Sequence, residues 1–398
     1  GMFIHWSIDS QLGSVISHSM VGASDKYLKR FINELPKTFH PTKFDPDEWA
    51  RLAKLAGMKY MVFTTKHHSG FCMFDTKTTD FNIMNTPHGR DITRQIVQAF
   101  RRQDIHIGFY FSPDDFWILH KQGIDVSRTR PEVNPVNNPQ LMQHNLAQLR
   151  ELLNNYGTID VIFLDGAFTL GVADEIKQLC WKIQPNTVIT RGEMWTRDQH
   201  LPGEPIPSPW ETCMTIGSQW QYKPTNENYK SGTKLIETII EARAKGGNLL
   251  MNIGPDPYGR IPFEQERRLR ELALWLFIND EAIYNIRPWH ITNEDNIWFT
   301  KAKDSNTVYA IVTKTPWKLG QQKTFTLKSV RATEKTQIEI LGQSGRVLEY
   351  RPKVNPKTTW KQDENGLHIT AMRAQRIYNN WKWPNPIVLK ITHAQAGK

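Results

Sequence analysis

The sequence runs to 398 residues, too long for one ordinary domain and long enough for a barrel of about 250 residues with a smaller partner. Apolar residues are 39% and charged residues 23%, a globular balance, and no uninterrupted apolar stretch reaches the roughly 18 residues a membrane helix needs. The formal charge of +10 is confined to one region: residues 295–398 hold 18 Lys and Arg against 7 Asp and Glu, while residues 1–294 sum to −1.

That basic quarter has two physical readings, a solubilising surface or attraction to a polyanion such as a sulfated or uronic polysaccharide. Nucleic acid is not expected, because no recognition motif accompanies the charge. Cys72, Cys180 and Cys213 are widely spaced, odd in number and without zinc-ligand spacing, which predicts free thiols.

In chain order, Met2–Trp6 reads as a strand rather than as a signal peptide. "DPDEWARLAKLAG" follows with a Pro-Asp start and a glycine stop, placing Trp49, Leu52, Leu55 and Ala56 on one helical face. Tyr60–Thr65, His106–Phe111, Asp160–Asp165, Thr187–Arg191, Glu211–Ile216 and Leu249–Ile253 are further strands, with amphipathic helices between them. Seven clear strands and a weak eighth fit a (β/α)8 TIM-like barrel better than an open doubly wound sheet. No glycine-rich phosphate loop follows the first strand, so a dinucleotide fold is disfavoured. After Trp289 the texture becomes short, alternating and β-rich ("TVYAIVTK", "LHITAM", "PIVLKITH"), predicting a small all-β sandwich. The expected domains are 1–290 and 291–398.

Active sites of such barrels lie at the carboxyl ends of the strands. Those ends carry His5 and Trp6, Lys66-His67-His68, Tyr110, Asp165, Arg191 and Glu193, and Asn252. Asp165, directly after Val-Ile-Phe-Leu, leaves an apolar wall for the mouth. Aromatic residues crowd the same loops: Trp6, Phe71, Tyr110, Trp117, Phe163, Trp195, Trp210 and Trp220. Three histidines raise the question of a metal, yet no His-x-His or His-x3-His spacing occurs, and no metal is expected. Histidines, aromatic faces and carboxylates at one mouth describe a carbohydrate site. Glycoside cleavage needs two carboxyl groups, one attacking or activating water and one protonating the leaving oxygen.

Six segments in order, "GMFIHW", "FDPDEWARLAKLAGMKYMVFTTKHHSGF", "GFYFS", "VIFLDG", "WETCMTIGSQWQY" and "GGNLLMNIGPDPYG", resemble glycoside hydrolase family 29, the retaining α-L-fucosidases, from residue 2 to about 289. The resemblance implies double displacement with neither metal nor organic cofactor, and Asp165 as nucleophile. It implies sugar contacts from His5, His67, His68, Tyr110, Phe163 and Arg191, to which the aromatic crowding of the same loops adds Trp6, Trp210 and Trp220 as candidates. The acid/base lies on a variable stretch, "RDQHLPGEPIPSPWETC", where Glu211 is the first candidate, Asp198 the second and Glu204 the third. Asp198 stands where many members have the glutamate of a Thr-Pro-Glu run. Two departures are His67-His68-Ser69-Gly70 in place of His-His-Asp-Gly, and Trp220-Gln221-Tyr222 in place of a Trp-Gly-Tyr segment.

The expected activity is exo-acting removal of terminal α-L-fucose from oligo- or polysaccharides, sulfated ones included. An α-L-galactosidase acting on a sulfated galactan is the first alternative, since a hydrophobic pocket rejects one added hydroxyl by only about a hundredfold. A non-catalytic carbohydrate- or polyanion-binding protein is the second. The substrate class points to a periplasmic or secreted protein, and the sequence leaves the oligomeric state open.

Overall fold

The computed structural model describes residues 1–166, 174–191, 194–375 and 385–397. The chain forms two compact units. The first comprises residues 1–200, 211–230 and 250–270; the second comprises residues 201–210, 231–249 and 271–398.

One eight-stranded sheet is built from β1 (Met2–Ile4), β2 (Tyr60–Lys66), β3 (His106–Phe111), β4 (Val161–Leu164), β5 (Val188–Thr190), β6 (Trp195–Asp198), β7 (Trp210–Thr215) and β8 (Asn248–Ile253). Its order is β5-β4-β3-β2-β1-β8-β7-β6, and a parallel bridge from Thr190 to Met194 brings its two ends toward closure. The parallel registers Met2↔Met61, Met2↔Met251, Gly108↔Val161 and Val161↔Val188 set the strands level around the wall. The TIM-like barrel read from the sequence is the fold that forms. The eighth strand is β6, Trp-Thr-Arg-Asp, too short and too polar to show a strand pattern in the sequence.

Strand alternation decides which side chains enter the barrel. Phe3, Val62, Tyr110, Phe163, Cys213 and Leu250 meet inside as one apolar cluster. Outside, the helix α2 (Pro46–Leu55) is started by Asp45, whose carboxylate accepts the Glu48 N–H at 2.9 Å. It buries Trp49, Ala50, Leu52 and Ala53, but Leu55 is 56% exposed. Leu55 was expected on the Trp49 face; six residues further on it has rotated away from it.

Among the described residues, 286–375 and 385–397 hold antiparallel sheets. A five-stranded sheet contains β9 (Ile286–Glu294), β10 (Ile297–Ala302), β11 (Val308–Val312), β14 (Ile338–Ile340) and β17 (Ile387–Ile391). A three-stranded sheet contains β12 (Gln322–Leu327), β15 (Thr359–Asp363) and β16 (Gly366–Met372). Phe299, Ala310 and Leu389 of the first pack with Leu327, Leu367 and Ile369 of the second in a shared core, as a sandwich requires. The expected boundary at 290 falls inside β9.

Candidate active site

Inward positions on β4 run Val161, Phe163, Asp165, so the carboxylate emerges one step beyond the last apolar layer. By the same alternation β1 delivers Phe3 and then His5, β3 delivers Tyr110, and β8 delivers Leu250 and then Asn252. These steps assemble one pocket. The Tyr110 hydroxyl donates to Asp165 Oδ2 at 2.7 Å, and the Arg191 guanidinium binds Asp165 Oδ1. The other arm of Arg191 binds Asp198 Oδ2. Arg191 therefore stands between two carboxylates, lies 5.2 Å over the Phe163 ring, and holds a left-handed backbone (φ 56°) rarely adopted by a non-glycine residue.

The histidines arrive through a sharp reversal after β2. Gly70, at φ +85°, makes the turn, and a Cβ there would strike the Asp115 carboxylate. The hydrogen bonds fix each ring. Ser112 Oγ donates to the Asp114 carbonyl at 2.8 Å, so Nδ1 of His68 donates to that Oγ at 2.6 Å. Its Nε2 is left as a bare acceptor, buried without a hydrogen-bond partner and 3.9 Å from Asp165 Oδ2. The backbone N–H of His68 donates to Nδ1 of His67 at 2.8 Å, leaving Nε2 of His67 as the donor. His67 stacks on Tyr110 with centroids 4.8 Å apart. Asn252 gives its amide N–H to the Trp220 carbonyl at 2.5 Å, so its Oδ1 accepts from Nδ1 of His5 at 2.6 Å. Trp220 lies 5.0 Å from the His5 ring.

Burial sets the charge states. It lowers His5 to about 4 and His68 to about 3, and pushes His67 well below its ordinary value, with the neighbouring imidazoles adding to it. All three are neutral at neutral pH. Burial pushes the Asp165 carboxyl up, but the Arg191 guanidinium and the Tyr110 hydroxyl outweigh it and hold it below the usual carboxylate range. The pocket thus presents an ionised carboxylate among neutral, directional hydrogen-bonding rings.

With this geometry in hand, the matches to known proteins have a meaning. The family model described as alpha-L-fucosidase covers residues 1–281. The chain belongs to the α-L-fucosidase family. It is accordingly a glycoside hydrolase. Plasma alpha-L-fucosidase of Rattus norvegicus is 30% identical over 434 residues, spanning 96% of this chain and 88% of that protein. The alpha-L-fucosidase of Branchiostoma floridae is 31% identical over 388 residues, spanning 86% and 82%. Among solved structures, alpha-L-fucosidase isoenzyme 1 from Paenibacillus thiaminolyticus matches with a TM-score of 0.80 at 26% identity, over 98% of this chain and 96% of that one.

Of the residues singled out in the sequence, the pocket gathers His5, His67, His68, Tyr110, Phe163, Asp165, Arg191, Asp198 and Trp220. Four others are placed elsewhere. Trp6 follows the inward His5 and so points outward; fully buried, it packs on Phe39, Phe44 and Trp49 and donates to the Asp256 carbonyl at 3.0 Å. Trp210 is also buried and donates to the Lys245 carbonyl at 3.3 Å within the second unit. Glu211, the first candidate for the acid/base, sits at the start of β7, and its Oε2 accepts the hydroxyl of Tyr60, the first residue of β2. Both lie at the amino-terminal end of the barrel, opposite the mouth, because Glu211 is two inward steps below Thr215. Glu204 is exposed in the second unit, and Glu193 lies outside the described residues. Sequence reasoning missed Ser112 and Asp114, although "SPDD" directly after β3 signalled polar groups at a strand end.

His67, His68 and Asp165 each bring a ligand atom within 4.8 Å of the others. Their hydrogen bonds nevertheless commit them: His67 carries its proton on Nε2, and both Asp165 oxygens are engaged. The set suits donors and acceptors on a sugar better than a cation.

Proposed function

We propose that the protein is an exo-acting, retaining α-L-fucosidase in which Asp165 is the nucleophile. The observation that carries this is Asp165 itself, held ionised at the rim of the barrel by Arg191 and Tyr110. Asp165 attacks the anomeric carbon as the glycosidic bond breaks, giving a glycosyl ester, and water then releases the sugar. Asp198 is the proposed acid/base. One guanidinium cannot separate two carboxylates by more than its own width plus two hydrogen bonds, a span compatible with the roughly 5–5.5 Å of retaining pairs. Once Asp165 is esterified and neutral, Arg191 faces Asp198 alone, which favours the carboxylate form that activates water in the second step. His5, His67 and His68 offer fixed donors and acceptors to the sugar hydroxyls, while Phe163 and Trp220 supply apolar faces; fixed orientation of this kind provides much of the rate.

The basic residues of 295–398 support a sulfated polysaccharide as the natural polymer, and such polymers place the protein outside the cytoplasm. The deciding experiment compares aryl α-L-fucoside with aryl α-L-galactoside. Faster turnover of the fucoside is expected, with preference for the galactoside reassigning the sugar. Asp165→Asn should lose at least about a thousandfold in kcat/KM while remaining folded; near-normal turnover in that variant refutes the nucleophile.

A further inference from the structure

The strand β16 carries its core-facing residues at every second position: Leu367, Ile369 and Ala371 are all buried in the sandwich core. Arg373 is the next step of the same alternation, so a guanidinium follows where the pattern had placed apolar groups. Its backbone N–H still reaches the Gln321 carbonyl at 3.3 Å, and the residue is only 2% exposed. Nη1 donates to the Trp317 carbonyl at 2.7 Å, while Nη2 is buried and makes no hydrogen bond. Among the described residues no carboxylate pairs with Arg373, and residues 376–384 contain neither Asp nor Glu to supply one. A buried cation without a counter-charge is costly, and an arginine does not escape the cost by losing its proton.

Arg373 lines a recess bounded by the end of the helix Phe263–Asn279, the turn after β14 and the start of β17. Ile278, Leu341 and Pro386 give it apolar walls, with Gln343 and Gln375 beside the arginine. Gly342, at φ +78°, makes the turn, and a Cβ there would strike Ile278. Gln343 Oε1 accepts the backbone N–H groups of Ala374 and Gln375, so its Nε2 remains as a donor without a partner among the described residues. Gln375 Oε1 is buried and unpartnered as well, and rotation of that amide about its last bond turns an N–H to the same side. The recess measures about 340 Å³ with its open mouth included, and its enclosed part has room for a group of a few atoms rather than a sugar ring.

We propose that this recess is a binding site for a small oxyanion, the group common to free sulfate and to the sulfate esters or carboxylates of acidic glycans. The site lies wholly within the second unit and does not depend on which sugar is cleaved. A water molecule satisfies the Nη2 donor but leaves the charge of Arg373 unopposed. An apolar group leaves Nη2 buried and unsatisfied, and a cation is repelled. An oxyanion answers both needs, since one oxygen accepts from the guanidinium and a second from a glutamine amide. On a glycan only the charged substituent enters, with its sugar ring outside the mouth, which anchors an acidic chain on the sandwich.

The test measures binding of radiolabelled inorganic sulfate to the full chain by equilibrium dialysis, at an ionic strength fixed with sodium chloride. One saturable site per chain is expected, weakened at least about tenfold in Arg373→Gln. Gln343→Glu keeps the experiment decisive where the first variant fails to fold, because its carboxylate still accepts both backbone N–H groups and gives Arg373 an internal counter-charge. It should remove sulfate binding and raise the thermal midpoint of the anion-free chain. Turnover of an aryl α-L-fucoside should stay within about threefold in both variants, which separates this site from the catalytic one. Displacement of sulfate by galactose 6-sulfate or galacturonate, and not by galactose, upholds the site as one for a glycan substituent. Displacement by inorganic anions alone upholds it as a free-anion site. Absence of saturable binding in the wild type, or binding unchanged in both variants, overturns the proposal.

Discussion

Two carboxylates only thirteen residues apart in sequence, Asp198 and Glu211, differ wholly in surroundings. Asp198 shares Arg191 with Asp165 and accepts the Cys213 thiol at 2.7 Å, with 46% of its side chain exposed. Glu211 is closed in by the barrel floor, where burial raises its carboxyl and the Tyr60 hydroxyl only partly opposes that. A buried acid with a raised pKa resembles a general acid by that criterion alone. Position decides against it, because no substrate at the mouth reaches the floor. Glu211→Gln should therefore keep kcat/KM within about tenfold, the amide still accepting from Tyr60, whereas Asp198→Gly should lose about 10²- to 10⁴-fold on poor leaving groups. Azide should restore turnover only in the Asp198 variant. Rescue at Glu211 instead would reverse the assignment.

At the scale of elements, the carboxyl end of β2 is held by charge as well as packing. Lys66 is fully buried; its Nζ lies 3.2 Å from Asp115 Oδ2, 2.8 Å from Asn145 Oδ1 on the helix Pro139–Asn155, and 4.4 Å from the Phe111 ring centroid. Asp115 also caps the helix Phe116–Lys121 by accepting the Ile118 N–H at 3.0 Å. Burial pushes its carboxyl up, but Lys66 and His144 more than reverse this and bring it to about 2. One network thus joins β2 and these two helices directly behind His67 and His68. Lys66→Met would leave Asp115 buried with only His144 and the Ile118 N–H beside it and should cost about 3 kcal/mol, read from chemical denaturation of the variant. Replacing both Lys66 and Asp115 with apolar residues should recover part of that loss, since the pair's desolvation cost disappears with it.

For the whole molecule, the pH dependence of stability near neutrality sets one buried carboxyl against the buried histidines: His5, His67 and His68, held neutral in the fold, add stability as pH rises toward 6.5, and Asp9 removes it. Asp9 is fully buried after β1, neither carboxylate oxygen makes a hydrogen bond, and burial raises it to about 7. Ser19 and Gln221 pull the other way without completing hydrogen bonds to it. The folded value exceeds the unfolded one, so between about 4 and 7 the folded chain binds more protons. Stability is then fully present below pH 4, declines as pH rises, and the loss is complete above 7. The full change is about 4 kcal/mol. Asp9→Asn should therefore make the thermal midpoint fall less, or rise more, between pH 5 and pH 8 than in the unaltered chain. An unchanged slope would assign the pH dependence to other groups.

The sequence by itself determined the barrel, because seven of its strands are apolar runs whose period and flanking helices admit few arrangements, and it determined that Asp165, His67, His68 and Arg191 stand at strand ends. It also predicted free thiols, and Cys72, Cys180 and Cys213 are free and buried. Only the tertiary structure decided which way each end residue faces. Trp6 and His5 are neighbours in the chain yet occupy opposite sides of the wall, and Glu211 entered the barrel at the wrong end for the chemistry expected of it. β6 was hidden for a related reason: a four-residue polar strand owes its position to partners distant in sequence. Local patterns fix what an element is; the direction of a side chain within a closed sheet depends on the register of every strand beside it.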